Sequence, residues 1–295
     1  MKKHNEWTKR TTLLRRVLLI LVSFLLIGVD INASYSLRQF SSKNGLSNSA
    51  ILSMCPGAIG ACPLGALQNA LASSDKRAPY YVLGILMLYG LILGRTICGW
   101  LCPLGLIQEL FYKIPTPKVK KSRFTHALSY LKYVLLAVFV VIIPLAYSLQ
   151  QYPVPGFCKY ICPQGVLEGA IPLSLTNAGI RTALGKLFTW KACILLAVIM
   201  GSVVFYRPFC KWLCPLGAFY ALLNKVSLFQ MRVDTHKCVS CGACAKACKM
   251  DVDITKTPNH AECIRCGMCM KACPTDAIQY KFGLGDQSNT ETTKE

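Results

Sequence analysis

Eight cysteines toward the C-terminal end stand in two runs, Cys238-x-x-Cys241-x-x-Cys244-x-x-x-Cys248 and Cys263-x-x-Cys266-x-x-Cys269-x-x-x-Cys273-Pro274. Thiolates at this spacing surround iron-sulfur cubanes, three from one run and the last from the other. The spacing therefore predicts one 4Fe-4S site at Cys238, Cys241, Cys244 and Cys273 and a second at Cys263, Cys266, Cys269 and Cys248. Paired Cys-x-x-Cys units also hold zinc, but each run carries one thiol more than such a site needs. The second run also closes with the Cys-Pro of cluster runs, whereas Lys249 stands where the first would have its proline. The chemistry such residues support is one-electron transfer.

Further cysteines repeat upstream. Cys98-Gly-Trp-Leu-Cys102-Pro-Leu-Gly, Cys158-Lys-Tyr-Ile-Cys162-Pro-Gln-Gly and Cys210-Lys-Trp-Leu-Cys214-Pro-Leu-Gly share one pattern, and Cys55-Pro-Gly-Ala-Ile-Gly-Ala-Cys62-Pro-Leu-Gly is a wider variant. Each Cys-Pro-x-Gly leads into a short amphipathic stretch such as Leu106–Ile114 or Ala218–Val226. The second cysteine is thus placed at a helix N-terminus, where proline suits the first turn. Unpaired N–H groups and positive potential there favour thiolate and supply hydrogen bonds to cluster sulfur.

These motifs need elements to carry them, and composition names the solvent. With 53% hydrophobic and 16% charged residues and a mean hydropathy of +0.41, the chain is too apolar for an ordinary soluble domain. Four stretches read as membrane spans: Arg16–Ile31, Tyr80–Ile97, Leu131–Leu149 and Trp190–Tyr206, near the short end of what a bilayer requires. The first, flanked by Lys and Arg, also fits a secretory signal cut near Ala33, and is read here as retained.

Counting the charges at the span ends with the loops they adjoin, Lys and Arg number six up to Arg16, seven from Arg95 to Lys132, and five from Arg207 to Lys237, against four in each remaining loop. The richer side is expected to be cytoplasmic, and with it both termini and the C-terminal cysteine runs. The expected location is the cytoplasmic (inner) membrane of a prokaryote, crossed several times. Topology, anionic lipid and anionic thiolate clusters account for the net charge of +20 better than nucleic acid does.

Each half of the membrane part then reads as a span, an outer motif, a second span and an inner motif. Two like-oriented halves related by an axis along the membrane normal would unite the outer set, Cys55, Cys62, Cys158 and Cys162, and the inner set, Cys98, Cys102, Cys210 and Cys214. Disulfides remain open for the outer set, and zinc or free thiols for the inner. Cys193, left over inside the fourth span, reads as a small buried hydrophobe. The fold class expected is an α-helical membrane protein of four transmembrane helices in two pseudo-symmetric halves (residues 1–226), a small α+β bacterial two-cluster ferredoxin domain (227–282) and a disordered tail (283–295).

Other chemistries lack their residues. His4, His126, His236 and His260 all lie outside the spans and no Cys-x-x-Cys-His occurs, so a bis-His haem within the bilayer has no ligands and a covalent haem no attachment motif. Gly179–Lys186 resembles a phosphate loop, but five residues separate its glycines and Leu187 replaces the Ser or Thr,. With 13 acidic residues, hydrolytic carboxylate pairs and Ser/His/Asp chemistry find no support.

The Cys-x-x-x-Cys-Pro motifs at 98–103, 158–163 and 210–215, with the two C-terminal runs, resemble the membrane-bound 4Fe-4S polyferredoxin family of the NapH, NosR and CcoG type over residues 79–282. The resemblance implies electron transfer between the quinone pool or cytoplasmic donors and a redox partner. The chain departs from that pattern in the added Cys55/Cys62 pair, in having no room for the flavin-binding extracytoplasmic domain of NosR, and in lacking the C-terminal soluble domain of CcoG. The expected cofactors are two 4Fe-4S clusters in the ferredoxin domain and two more in the membrane domain. Expected partners are membrane lipid, redox proteins on one or both faces, quinone, and a separate flavin- or haem-carrying protein. Three readings stay open: a transmembrane electron conductor, a quinol dehydrogenase component without transmembrane transfer, and a membrane redox sensor.

Overall fold

The computed structural model describes residues 78–118, 125, 127–148, 156–176 and 185–283, with the isolated positions Leu14, Val17, Leu18, Ile20, Leu21, Leu64, Leu67 and Gln68. Helix α1 (Ala78–Leu93) takes up the second predicted span. It stops at Gly94, whose φ of +55° L side chains rarely adopt. An added Cβ there would also meet Arg265 and Asn224 at 2.7 Å. The chain restarts as short α2 (Thr96–Trp100) and then α3 (Pro103–Phe111). The span expected over Tyr80–Ile97 is therefore broken near its end, and the 16 residues of α1 rise about 24 Å.

The third apolar segment is a composite helix, α4: a 3-10 turn Leu128–Tyr130, α-helical Leu131–Leu135, π-helical Leu136–Ile142 and α-helical Ile143–Ser148. Helix α5 (Gly156–Tyr160) returns along it, and a Cβ on Gly156 would lie 3.0 Å from Cγ2 of Ile143. A π-helical stretch, Gly165–Ala170, then runs into α6 (Ile171–Thr176). Helix α7 (Lys186–Val204) follows, and among the described residues it alone is long and apolar enough to cross a membrane. Leu83–Leu93 and Leu128–Ile142 are apolar but shorter. Of the first predicted span only Val17, Leu18, Ile20 and Leu21 are described, helical and exposed.

Much apolar surface faces outward on these helices, including Leu88 and Leu91 on α1, Val134, Ile142 and Leu145 on α4, and Leu196 and Met200 on α7. Cys193, expected to be buried, is also exposed. It lies on the outward side of an apolar helix, where a small hydrophobe needs no core.

Beyond α7, a π-helical turn (Phe209–Leu213) and α8 (Pro215–Leu223) repeat the α2–α3 unit. The remaining residues build the α+β module. Strands β1 (Phe229–Val233) and β2 (Ile278–Phe282) pair antiparallel, Phe229 opposite Phe282 and Val233 opposite Ile278. Between them lie α9 (Ala243–Ala247) and α10 (Met268–Ala272).

The module has a small core of its own around Met231, Ile254, Met270 and Ile278. Its other side joins the main core, where Met250, Val252 and Ile264 pack with Leu86, Leu104, Phe157, Leu195, Phe209 and Tyr220. Across the boundary expected at residue 227, the Leu228 N–H donates to the Leu91 carbonyl at 2.7 Å. Helices and module are thus held together by a shared core. The expected tail after Gly283 lies outside the described residues.

Candidate metal centres

The two C-terminal runs fold as a repeat. Ser240 and Gly242 have φ of +51° and +69°, and Arg265 and Gly267, at the same places in the second run, +49° and +77°. Asp251 and Asp276, three residues after the last cysteine of each run, match at +59° and +53°. Left-handed residues alternating with ordinary ones turn successive N–H groups to one side, forming a nest that suits anionic sulfur. Accordingly Val252 N–H donates to Cys248 Sγ at 3.4 Å, and Ala277 N–H does the same for Cys273.

Cys238, Cys241, Cys244 and Cys273 line one recess together with Val233 and Ile278. Cys241 is exposed there, and Val239 beside it is 62% exposed. The second set is deeper: Cys263 lies within electrostatic reach of Cys266 and Cys248, and Cys269 of all three. Burial pushes the Cys263 thiol up to about 11 and Cys269 higher still. Free thiols at Cys263 and Cys269 would stay protonated here, so thiolates at these two positions need a cationic centre beside them,.

The motifs at 98–102 and 210–214 face each other across a local pseudo-two-fold. Cys102 and Cys214 are the N-caps of α3 and α8, each followed by proline, and Gly217 N–H donates to Cys214 Sγ at 3.4 Å. Arg207 donates to the Cys98 carbonyl at 2.7 Å, and Arg95 to the Cys210 carbonyl at 3.4 Å. The exchange uses the glycine of each motif. A Cβ on Gly105 would lie 2.9 Å from the Arg207 guanidinium, and one on Gly217 3.5 Å from that of Arg95.

The Cys102 and Cys210 thiols share a hydrogen bond, and Cys214 feels both Cys210 and Cys98. That bond holds Cys210 down to about 6 against the opposing effect of burial, and Arg207, Gln108 and Arg95 assist. The same bond and burial raise Cys102, while burial raises Cys98 and Cys214. One thiolate thus forms readily and four do not, unless a cluster's irons neutralise them.

Of the outer set, Cys55 and Cys62 lie outside the described residues. Cys158 lies within α5 and Cys162 just past its end, and Gly156 at the start of α5 packs on α4 between Phe139 and Ile143. Cys162, expected on the outer side, instead comes within electrostatic reach of Cys214 of the inner set, because its helix folds back onto the middle of α4 and not past the far end of it. Gln68 links the first motif to the third by accepting a hydrogen bond from Cys158 N–H at 3.4 Å. Among the described residues no three His, Cys, Asp or Glu side chains stand close enough to hold a single ion. A cubane spreads its ligands over four corners and needs no such convergence.

The inner motifs are clamped to the second C-terminal run. Trp100 donates to the Arg265 carbonyl at 3.1 Å, and Arg95 to the Ala261 carbonyl and the Glu262 carboxylate, both at 2.8 Å. Lys132 of α4 meets the other Glu262 oxygen. Burial opposes the Glu262 charge, but Arg95 and Lys132 outweigh it and hold the carboxyl below its ordinary range. Arg95, Lys132, Arg207 and Lys211 are all buried, and Lys211 pairs with Asp251. These four were counted from sequence as loop charges that set topology. Arg95, Lys132 and Lys211 are structural partners of the module, and Arg207 pairs with Glu109 beside the Cys98 motif; spacing relative to the cysteines could have signalled such roles, since Arg95 and Arg207 both stand three residues before a motif.

A family model described as "4Fe-4S binding domain" matches residues 80–122, 133–171 and 188–234, once around each narrow Cys-Pro motif. A second of the same description matches 231–252 and 257–279. An uncharacterized protein of Methanocaldococcus jannaschii is 32% identical over 236 residues, covering 77% of this chain and 89% of its own length. The methylamine utilization ferredoxin-type protein MauN of Methylorubrum extorquens is 28% identical over 63% of this chain and 59% of its own. The regulatory protein NosR of Pseudomonas aeruginosa is 27% identical over 54% of this chain and 21% of its own. No solved structure matches the chain.

Proposed function

Because this chain belongs to the membrane-bound 4Fe-4S polyferredoxin family, we propose that it conducts electrons through the membrane along four cysteine sets. When bound, each cluster supplies a site that takes up and releases one electron. The residues supply the order. The exposed set of Cys238, Cys241, Cys244 and Cys273 is the point of exchange with a redox partner on the cytoplasmic side. The Cys263, Cys266, Cys269 and Cys248 set comes next, shielded by the shared core. The inner set of Cys98, Cys102, Cys210 and Cys214 follows, and the outer set of Cys55, Cys62, Cys158 and Cys162 ends the series.

The observation that carries this reading is the seam between Cys98–Cys102 and Cys263–Cys266. A Cβ on Gly99 would collide with the Ile264 carbonyl oxygen, so the two cysteine-bearing loops touch through backbone. The four-span topology belongs to the same proposal, supported by the apolar outward faces of α1, α4 and α7 and by α7's length. A hydrocarbon layer of about 30 Å is too thick for one efficient electron step, and relay through successive cysteine sets would divide it into shorter ones.

The test uses the full chain in sealed proteoliposomes, with a reductant on the module's side and an acceptor enclosed on the other. Cys158→Ser is expected to leave the module reducible and to abolish reduction of the enclosed acceptor. Transfer at the parent rate would sink the proposal.

A further inference from the structure

The helix after the first Cys-Pro motif and the helix after the second carry a glutamine at the same place, in Cys62-Pro-Leu-Gly-x-x-Gln68 and Cys102-Pro-Leu-Gly-x-x-Gln108. Both glutamines are fully enclosed, at 0% and 1% exposed. Each uses its carbonyl oxygen to accept a backbone N–H at the partner motif. Gln108 takes that of Phe209 at 3.2 Å, just before Cys210, and Gln68 takes that of Cys158 at 3.4 Å. This fixes which way each amide points, since a reversed amide would set donor against donor.

The amide nitrogen is then committed to the cysteine side. Gln108 Nε2 reaches Cys210 Sγ at 3.5 Å and also the Leu104 carbonyl at 3.2 Å. Gln68 Nε2 is buried with no hydrogen-bond partner among the described residues, and a buried amide N–H without a partner is costly. Its oxygen is held by the Cys158 backbone, which makes cluster or ligand sulfur of the outer set the acceptor available to it when that set holds a cluster. Two further donors of this kind, Arg95 Nε and Arg207 Nε, are buried without partners around the inner set.

We infer that Gln68 and Gln108 are positioning residues that donate an amide N–H to sulfur in the outer and inner sets and thereby raise the reduction potentials of both membrane clusters. The inference rests on the membrane motifs holding clusters. A one-electron reduction adds a negative charge that resides largely on sulfur, and a fixed donor stabilises the reduced form more than the oxidised one. No proton needs to move. The motifs at 158 and 210 carry Glu168 and Tyr220 at the equivalent position, so each pair of motifs receives one glutamine.

The test is an EPR-monitored redox titration of anaerobic full-length protein, in which the inner signal is the one missing from Cys102→Ser. Gln108→Met is expected to keep its iron and to lower the midpoint of that signal by about tenfold in the reduced-to-oxidised ratio, 59 mV for one electron. Gln68→Met should shift the outer signal alone. Should Met prevent assembly, Gln108→Glu retains the oxygen that Phe209 needs and should lower the same midpoint. Variants with full iron and an unmoved midpoint overturn the inference, as do variants that lose iron while the remaining signal keeps its potential. If Cys102→Ser removes neither iron nor signal from the parent, the membrane clusters themselves fail, a result distinct from an unmoved midpoint.

Discussion

The indole N–H of Trp100 donates to the carbonyl oxygen of Arg265 at 3.1 Å. Trp100 lies between Cys98 and Cys102, and Arg265 between Cys263 and Cys266, so this bond spans two cysteine sets that are far apart in sequence. Arg265 can present its carbonyl this way because its φ is +49°. Its side chain anchors the same loop to the Leu93 carbonyl at 3.0 Å and to Asn224 and Ser227.

Gly99→Ala tests that seam without touching a ligand. The new Cβ would overlap the Ile264 carbonyl, and backbone cannot yield as a flexible side chain can. Overpacking of this kind costs about 1–3 kcal/mol. Stopped-flow reduction from the module's side should give normal reduction of the C-terminal clusters and a slowed phase for the inner one. Unchanged kinetics would show that the seam does not carry transfer.

Iron counting addresses the number of sites. Sixteen of the 17 cysteines fall into four sets of four, so anaerobically prepared protein should hold clearly more iron than two cubanes supply. Cys102→Ser should lower the count by about one cubane while the C-terminal EPR signals persist, because those clusters draw on thiolates from their own two runs. A count that matches two cubanes, with no change in the variant, would leave the inner motif as thiols.

How much of this was legible in the sequence depends on the range of the interaction. The C-terminal runs are local patterns, and spacing alone grouped Cys238, Cys241 and Cys244 with the distant Cys273, which share one recess. The Cys-Pro helix starts were equally local, since proline at the first turn dictates them. The docking of α5 against α4 depends instead on Gly156 meeting Ile143, and no periodicity encodes that contact. Arg95 and Lys132 misled for a related reason: a basic residue near a span end reads as a topological anchor, and only the fold brings Glu262 between the two.

Lys249 occupies the place of the usual proline, and the structure gives it a task. Its ammonium lies 4.6 Å from the centre of the Tyr112 ring and 5.3 Å from that of Tyr206. The contacts tie the residue after Cys248 to the helices beside α3. Lys249→Met should preserve both C-terminal clusters and weaken docking of the module by about 1 kcal/mol, the usual size of an exposed cation–π contact. Faster hydrogen exchange at Val252 and Ile254 is the expected readout. Exchange at the parent rate would mean that the lysine merely fills the position.

Glu262 is the remaining pin, and its effect carries a sign with pH. Removing its charge by Glu262→Gln leaves Arg95 and Lys132 buried together without an anion, and breaking a buried pair in this way costs about 3–5 kcal/mol. Because Arg95 and Lys132 hold the folded carboxyl below its ordinary 4.5, the stabilisation is complete above that value and fades as pH falls through the lowered one. The gap in stability between parent and variant should therefore be complete at pH 7, begin to shrink only below pH 4.5, and close as pH falls through the lowered folded value, where the parent's carboxyl takes up its proton and comes to resemble the amide,. Denaturant unfolding at pH 7 and at a series of values below pH 4.5, followed by intrinsic tryptophan fluorescence, measures the gap directly. A difference that stays constant with pH would show that Glu262 acts by shape and not by charge.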